Sequence, residues 1–240
     1  MNKLKKLVLL GGSLLTFGTY AQQDYYNDAQ LWLSVDANKR LDKHFDLRFK
    51  VQGRMTENVT QLGRAYADIG LTFRINKGIR LFGDYVFGQK RKDNGDYKTR
   101  HVFFAGIILK KEIKRWRFSY RNMFQARFVD QYTSKTGYIG YYFDRNKIDI
   151  RYDVTKRLAF YVAEEINIPL NNPKVPGISI SRTRSYLGTV ISLSKHQALD
   201  LYFMYQMKLE TNDWFKQEDT YPNKPLKHYY VYGITYKIDF

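Results

Sequence analysis

The sequence predicts an all-β fold, a transmembrane antiparallel up-and-down β-barrel of 10–12 strands with short periplasmic turns and longer extracellular loops. Three observations predict it. Apolar and polar residues alternate one by one along most of the chain, as in strands whose successive side chains point to opposite faces. Aromatics reach 17%, with 21 Tyr and 16 Phe, yet mean hydropathy is −0.53, and past the first residues no apolar run approaches the roughly 20 residues of a helical span. The chain closes on HYYVYGITYKIDF at 228–240, where Tyr230, Tyr232, Ile234, Tyr236, Ile238 and Phe240 fall on one face.

Taken in order, residues 1–21 form a cleaved signal peptide: Lys3, Lys5 and Lys6 make a basic start, Leu7 to Phe17 an apolar core too short to span a bilayer, and Thr19-Tyr20-Ala21 a cleavage site. Residues 22–240 are expected to form a single barrel domain. With no cysteine, a lipid-modified cysteine anchor, disulfides and thiolate metal sites are excluded. Export, and the even spread of Lys and Arg behind the formal charge of +17, argue against a nucleic-acid partner.

Candidate strands follow at 30–38, 44–55, 63–75, 79–89, 100–111, 114–127, 140–153, 157–168, 178–193, 197–210 and 226–240. In the second, Phe45, Leu47, Phe49 and Val51 oppose Asp46, Arg48, Lys50 and Gln52. In the sixth, Trp116, Phe118, Tyr120 and Phe124 oppose Arg117, Ser119, Arg121 and Gln125. In the tenth, Leu199, Leu201, Phe203 and Tyr205 oppose Asp200, Tyr202 and Gln206. Lengths of roughly 10–13 residues suit a tilted bilayer crossing. The connections alternate: RLDKH, NKG, KKEIK, VTK and SKHQ are short, whereas TENVTQLG, KRKDNGDYKT, VDQYTSKTGY, PLNNPKVPG and TNDWFKQEDTYPNKPL are longer. Short turns on the periplasmic side and long loops outside are expected of an outer-membrane barrel. Single-chain bacterial barrels are normally even-stranded, so eleven candidates predict ten or twelve wall strands, with residues 22–29 threading the lumen or adding a strand, or one candidate misassigned.

In a closed barrel the apolar phase meets lipid and the polar phase the lumen. Tyr236, Ile238 and Phe240 then resemble the terminal signal by which such barrels engage the barrel-insertion machinery.

The stretches LWLSVDANKRLDKHFDLRFKVQGR, RNKIDIRYDV, AFYVAEEINIPLNN and RTRSYLGTVISLSKHQALDLYFMYQ resemble the outer-membrane barrels grouped as domain of unknown function 2490, over essentially the whole chain after residue 21. The resemblance implies the barrel fold and the outer membrane and supplies no catalytic residues.

Chemistry is sparser. Of the four histidines, His44 and His196 fall in short turns, His228 opens the last strand, and His101 is the one wall candidate for a Ser–His hydrolase, with Ser119 on the next strand. No Ser–His pairing is evident, so no catalytic residue and no cofactor is assigned. KDNGD at 92–96 lacks the spacing and distal Glu of a calcium loop and reads as an Asn-Gly turn, so no metal site is assigned.

The lumen is the informative constellation. Arg48, Arg54, Arg74, Arg117, Arg121, Arg151, Arg182 and Arg184 fall on the polar phase, with Asp68, Asp149, Glu165 and Asp200 as acidic partners. Glu164 falls on the apolar phase, and because a carboxylate facing lipid is costly, either a β-bulge that lets it join the arginines or a position above the hydrocarbon is expected. Two readings of this crowded, net-basic lumen follow. Arg–carboxylate pairs lock a structural or accessory barrel without catalytic activity, or the cations line a narrow channel for small anionic solutes. A lipid-modifying enzyme is a third. The partners implied are outer-membrane lipid, the insertion machinery, and small anionic solutes or another envelope protein.

Overall fold

The computed structural model describes residues 26–92, 94–129, 140–171, 180–208 and 227–240. Residues 1–25, which include the expected signal peptide at 1–21, Asp93, and residues 130–139, 172–179 and 209–226 lie outside them.

Eleven strands form a closed barrel: β1 (Tyr26–Arg40), β2 (Phe45–Thr56), β3 (Gln61–Arg74), β4 (Ile79–Arg91), β5 (Tyr97–Ile113), β6 (Trp116–Val129), β7 (Tyr141–Asp153), β8 (Leu158–Pro169), β9 (Arg182–Ser192), β10 (Gln197–Lys208) and β11 (Lys227–Asp239). Sequential neighbours pair antiparallel, and β1 closes the barrel on β11 in parallel, from Tyr26↔Lys227 to Asn38↔Asp239. Eleven lies within the expected 10–12 strands, and only the narrower expectation of an even number, ten or twelve, is corrected. An odd up-and-down meander leaves its first and last strands running the same way, so a parallel ladder is the pairing that can close it. Residues 26–29 belong to β1 itself, opposite 227–230.

Side chains reinforce this seam. Ser34 Oγ and Thr235 Oγ1 share a hydrogen bond of 2.7 Å, and the Phe240 backbone N–H donates to the Asn38 carbonyl at 2.8 Å. Beneath the seam Trp32, Met204 and Val231 form a packed inward cluster, the last two fully buried. Two glycines make room for inward tyrosine rings. The Tyr202 ring lies so close to Gly233 that a Cβ there would stand 1.9 Å from Tyr202 Cζ, and Tyr161 covers Gly188 in the same way at 2.4 Å.

One end of the barrel carries the connections 41–44, 75–78, 114–115, 154–157 and 193–196. The other carries 57–60, 92–96, 130–140, 170–181 and 209–226. TENVTQLG is thus no long loop: β2 and β3 extend to Thr56 and Gln61, and a four-residue turn joins them with Glu57, Asn58 and Val59 at φ of 53°, 53° and 67°. Hydrogen bonds to β1 hold this left-handed run, with Asn58 N–H donating to Asp28 Oδ1 at 2.8 Å and Ala29 N–H to Asn58 Oδ1 at 3.2 Å. In the first short turn the Asp42 carboxylate accepts the N–H groups of Phe45 and His44 at 2.7 and 2.6 Å, and these bonds hold its pKa below the usual carboxylate value.

The apolar phase faces outward. Leu33, Val35, Val51, Ile69, Leu71, Ile148, Val162 and Leu187 are exposed around the middle of the wall. Aromatic contacts gather toward its two ends: Phe45–Phe73, Trp116–Phe118 and Trp116–Tyr152 near the short turns, and Phe87–His101, Phe103–Phe128 and Tyr205–Tyr230 nearer the long connections. Tyr230, Tyr232, Ile234 and Phe240 are exposed, with Tyr236 and Ile238 partly covered.

A basic lumen organised around Glu165

β8 projects Glu165 into the barrel, opposite Lys147 of β7 and Arg184 of β9. The carboxylate is 2% exposed and accepts three guanidiniums: Arg121 Nη2 at 2.6 Å on Oε2, with Arg145 Nη2 at 2.6 Å and Arg184 Nη1 at 2.8 Å on Oε1. Two amides extend the hub, as Arg184 Nε donates to Gln206 Oε1 at 2.8 Å and Arg145 Nη1 to Gln125 Oε1 at 3.1 Å. Four strands, β6 to β9, are thereby tied to one buried anion, and the remaining donors of the arginines are partly used by neutral acceptors.

Toward the short turns the pairs become local. Arg48 reaches Asp84 at 2.8 Å and Asp68 at 3.2 Å across β2, β3 and β4. Arg74 grips both oxygens of buried Asp46. Asp200 accepts Lys237 Nζ at 2.7 Å and the Tyr161 hydroxyl at 3.0 Å. At the rim Arg117 pairs with Glu112 at 2.7 Å and Arg151 with Asp153 at 2.9 Å. Asp149 is partly buried on the inward phase, opposite Ser119, with no ion pair among the described residues.

Toward the long connections the inward carboxylate among the described residues is Asp28, which accepts the Asn58 N–H and Gln30 Nε2 and makes no ion pair among them. Arg54 of β2 lies over the Trp32 ring at 3.6 Å and the Tyr66 ring at 4.7 Å, and Arg127 of β6 over Tyr141 and Phe143 at 4.9 and 5.0 Å. Among the described residues Arg54, Arg64, Arg100, Arg127 and Arg182 have no carboxylate within ion-pairing distance, and buried Nε atoms of Arg100, Arg127 and Arg182 have no hydrogen-bond partner. A cavity of about 320 Å³ runs along the β2–β6 side of the lumen. Ten Lys and Arg side chains line it against two carboxylates, Asp68 and Asp84, so it is strongly basic even when Glu165 behind the hub is counted.

Glu164 is a correction. It is exposed on the outward face, paired in unbroken register with Ile148 and Ser185, so no bulge turns it inward. The register shift falls instead at Arg54/Met55, opposite Gly63. There only two pairs, Met55↔Leu62 and Thr56↔Gln61, separate the shift from the turn, and ladder geometry is easiest to break so near a strand end. Residues missed on the polar phase include Arg145, which shares phase with Lys147, together with Arg64 and Arg100. On β5 the inward set mixes Arg100 with Val102, Phe104 and Ile108, all lining the cavity, so alternation there loses contrast.

The histidines are not brought to a serine hydroxyl by their ring contacts. His101 faces outward against Tyr85, its Nδ1 2.8 Å from the hydroxyl, while Ser119 sits inward beside Lys110 near the short-turn end. His44 and His196 meet the carbonyls of Arg74 and Asp239, and His228 Nδ1 meets the Tyr205 hydroxyl.

The fold and lumen define a closed eleven-stranded β-barrel with a charged interior and an apolar exterior. A family model described as "Protein of unknown function (DUF2490)" matches residues 29–217, most of the chain. The protein belongs to this family. No curated protein matches it.

Proposed function

We propose that this chain is an integral barrel of the cell outer membrane, exported by the cleaved signal peptide at residues 1–21, whose lumen is locked by buried ion pairs. It serves a structural or accessory role rather than catalysing a reaction. The Glu165 hub carries the reading: a water-filled pore leaves inward side chains solvated, whereas Glu165, Arg184, Met204 and Val231 are all below 9% exposed. The outward surface supports the membrane location. A 14-residue strand such as β6 rises about 3.3 Å per residue and, tilted about 40°, covers about 35 Å, enough for an apolar band of about 25 Å with aromatic girdles above and below. Trp116 and Phe128 stand near its two ends. Tyr236 and Ile238 on β11, with Phe240 directly after it, then present the terminal signal to the insertion machinery.

Orientation is testable because the chain has no native cysteine. Asn94→Cys is expected to react with an impermeant maleimide on intact cells, and Asn76→Cys and Lys195→Cys only after the envelope is opened. The opposite pattern inverts the barrel. Ser134 and Asn212, for which the sequence leads one to expect the same labelling as Asn94, lie outside the described residues.

A second reading, a narrow conduit for small anions, draws on the arginine-lined cavity. Planar-bilayer recording separates the two. Pure wild-type protein is expected to pass no steady current. A stable anion-selective conductance abolished by Arg121→Glu overturns the locked barrel and establishes the conduit.

A further inference from the structure

We propose that the five arginines on the long-connection side of the lumen, Arg54, Arg64, Arg100, Arg127 and Arg182, form a binding site for a phosphate-bearing ligand. Five different strands, β2, β3, β5, β6 and β9, send them into one cavity. No carboxylate among the described residues neutralises them, in contrast to Arg48, Arg74, Arg121, Arg145 and Arg184 in the same lumen. They face one another as like charges: Arg182 is in electrostatic range of Arg64, Arg127, Arg145 and Arg184, and Arg127 of Arg100 and Arg64. Such an arrangement in a confined space opposes folding unless an anion enters it.

The chemistry favours a phosphate. The planar guanidinium fork matches tetrahedral oxyanions with two parallel N–H bonds, and all five cations are arginine rather than lysine. Aromatic rings hold Arg54 and Arg127 by cation–π contact, which consumes none of their N–H donors and leaves these for a ligand. Among the described residues buried Nε–H groups of Arg100, Arg127 and Arg182 lack an acceptor, as do those of Arg48, Arg121 and Arg145, but these last three already hold a carboxylate through another nitrogen. A volume of about 320 Å³ accommodates a phosphate with a small organic group attached. Two sources carry this chemistry, a free phosphorylated solute and the phosphate of a lipid headgroup.

This site depends on the barrel lumen and not on the proposed membrane location, and binding in detergent tests it separately from conductance. Full-length protein without its signal peptide, folded in detergent, is titrated with inorganic pyrophosphate by calorimetry while the unfolding temperature is followed by gel mobility. Pyrophosphate is expected to bind and to raise that temperature. Arg182→Gln and Arg127→Gln should each weaken binding by about tenfold, the loss of a charge-assisted bidentate contact. Arg151→Gln, at the opposite rim, should leave it unchanged.

Without ligand, Arg182→Gln is expected to unfold at a higher temperature than wild type, since one repelling charge is gone. A merely structural arginine gives the opposite sign. Should Arg182→Gln not fold, Arg100→Gln is read in its place. Reconstitution into phosphatidylcholine vesicles with and without phosphatidic acid distinguishes the sources: loss of pyrophosphate binding in the acidic vesicles identifies the headgroup, and unchanged binding identifies the soluble phosphate. Folded wild-type protein that ignores pyrophosphate in detergent, or variants that bind as well as wild type, overturn the site.

Discussion

Glu165→Gln is expected to be the most destabilising conservative substitution in the lumen, at about 3–5 kcal/mol, because it leaves Arg121, Arg145 and Arg184 buried around a neutral amide. Gel mobility against temperature, or against urea in a fixed detergent, reads the loss directly. Glu164→Gln is the matched control. It changes the same charge one residue away on the outward face, where neutralising the carboxylate removes a charge from the apolar band, so it should leave stability unchanged or raise it. The single arginine substitutions are expected to be milder. With three guanidiniums on one carboxylate, removing Arg121 leaves Glu165 with two partners, so Arg121→Ala costs about 1.5 kcal/mol, the worth of one bond to a charged group. Arg184→Ala should cost more, because its side chain is 8% exposed against 30% for Arg121 and it also holds Gln206. If Glu165→Gln unfolds with wild type, the hub does not lock the barrel.

Gly233→Val is the second large effect. Gly233 sits opposite Trp32 on β1 and Tyr202 on β10, at the parallel seam. Its missing side chain is the space that the Tyr202 ring fills, with Cζ, Cε1 and Cε2 at 1.9, 2.2 and 2.4 Å from where a Cβ would stand. Even Gly233→Ala must displace the ring, at a cost of about 1–3 kcal/mol, and the branched valine goes beyond that. Because Tyr202 packs against the Trp32–Met204–Val231 cluster, the displacement loosens the closure of the barrel. Combining Gly233→Ala with Tyr202→Ala tests the cause: the pair should be less damaging than the sum of the singles, since the clash is then gone. Strict additivity excludes the ring as the reason.

Both predictions rest on features of different legibility. The barrel itself was readable from the chain, because a wall with one face apolar and one face polar writes its period into every strand. Leu33 against Ser34, Phe49 against Lys50 and Phe203 against Met204 show where that writing is clear and where it blurs. Met204 and Val231 are inward yet apolar, and on β5 Val102, Phe104 and Ile108 are too, since a narrow lumen packs apolar groups as readily as charges. Arg64, Arg100 and Arg145 were lost in that blur or passed over beside Lys147.

What the sequence determined by itself is local and periodic: strand positions, the two faces, the polar phase that carries Arg48, Arg121, Arg184, Glu165 and Asp200, and the family resemblance. The tertiary structure alone decided the features that depend on register between distant strands. The parallel β1–β11 closure joins Tyr26 to Lys227, and no pattern within either strand specifies a partner so far along the chain. The shift at Arg54/Met55 depends on how β2 meets β3, and the outward position of Glu164 on the unbroken ladders of β7, β8 and β9. The hub has the same origin: alternation puts Arg121, Arg145, Arg184 and Glu165 inside, but only the stagger of four strands brings them to one height, where three cations meet one carboxylate, while five arginines nearer the long connections meet none among the described residues.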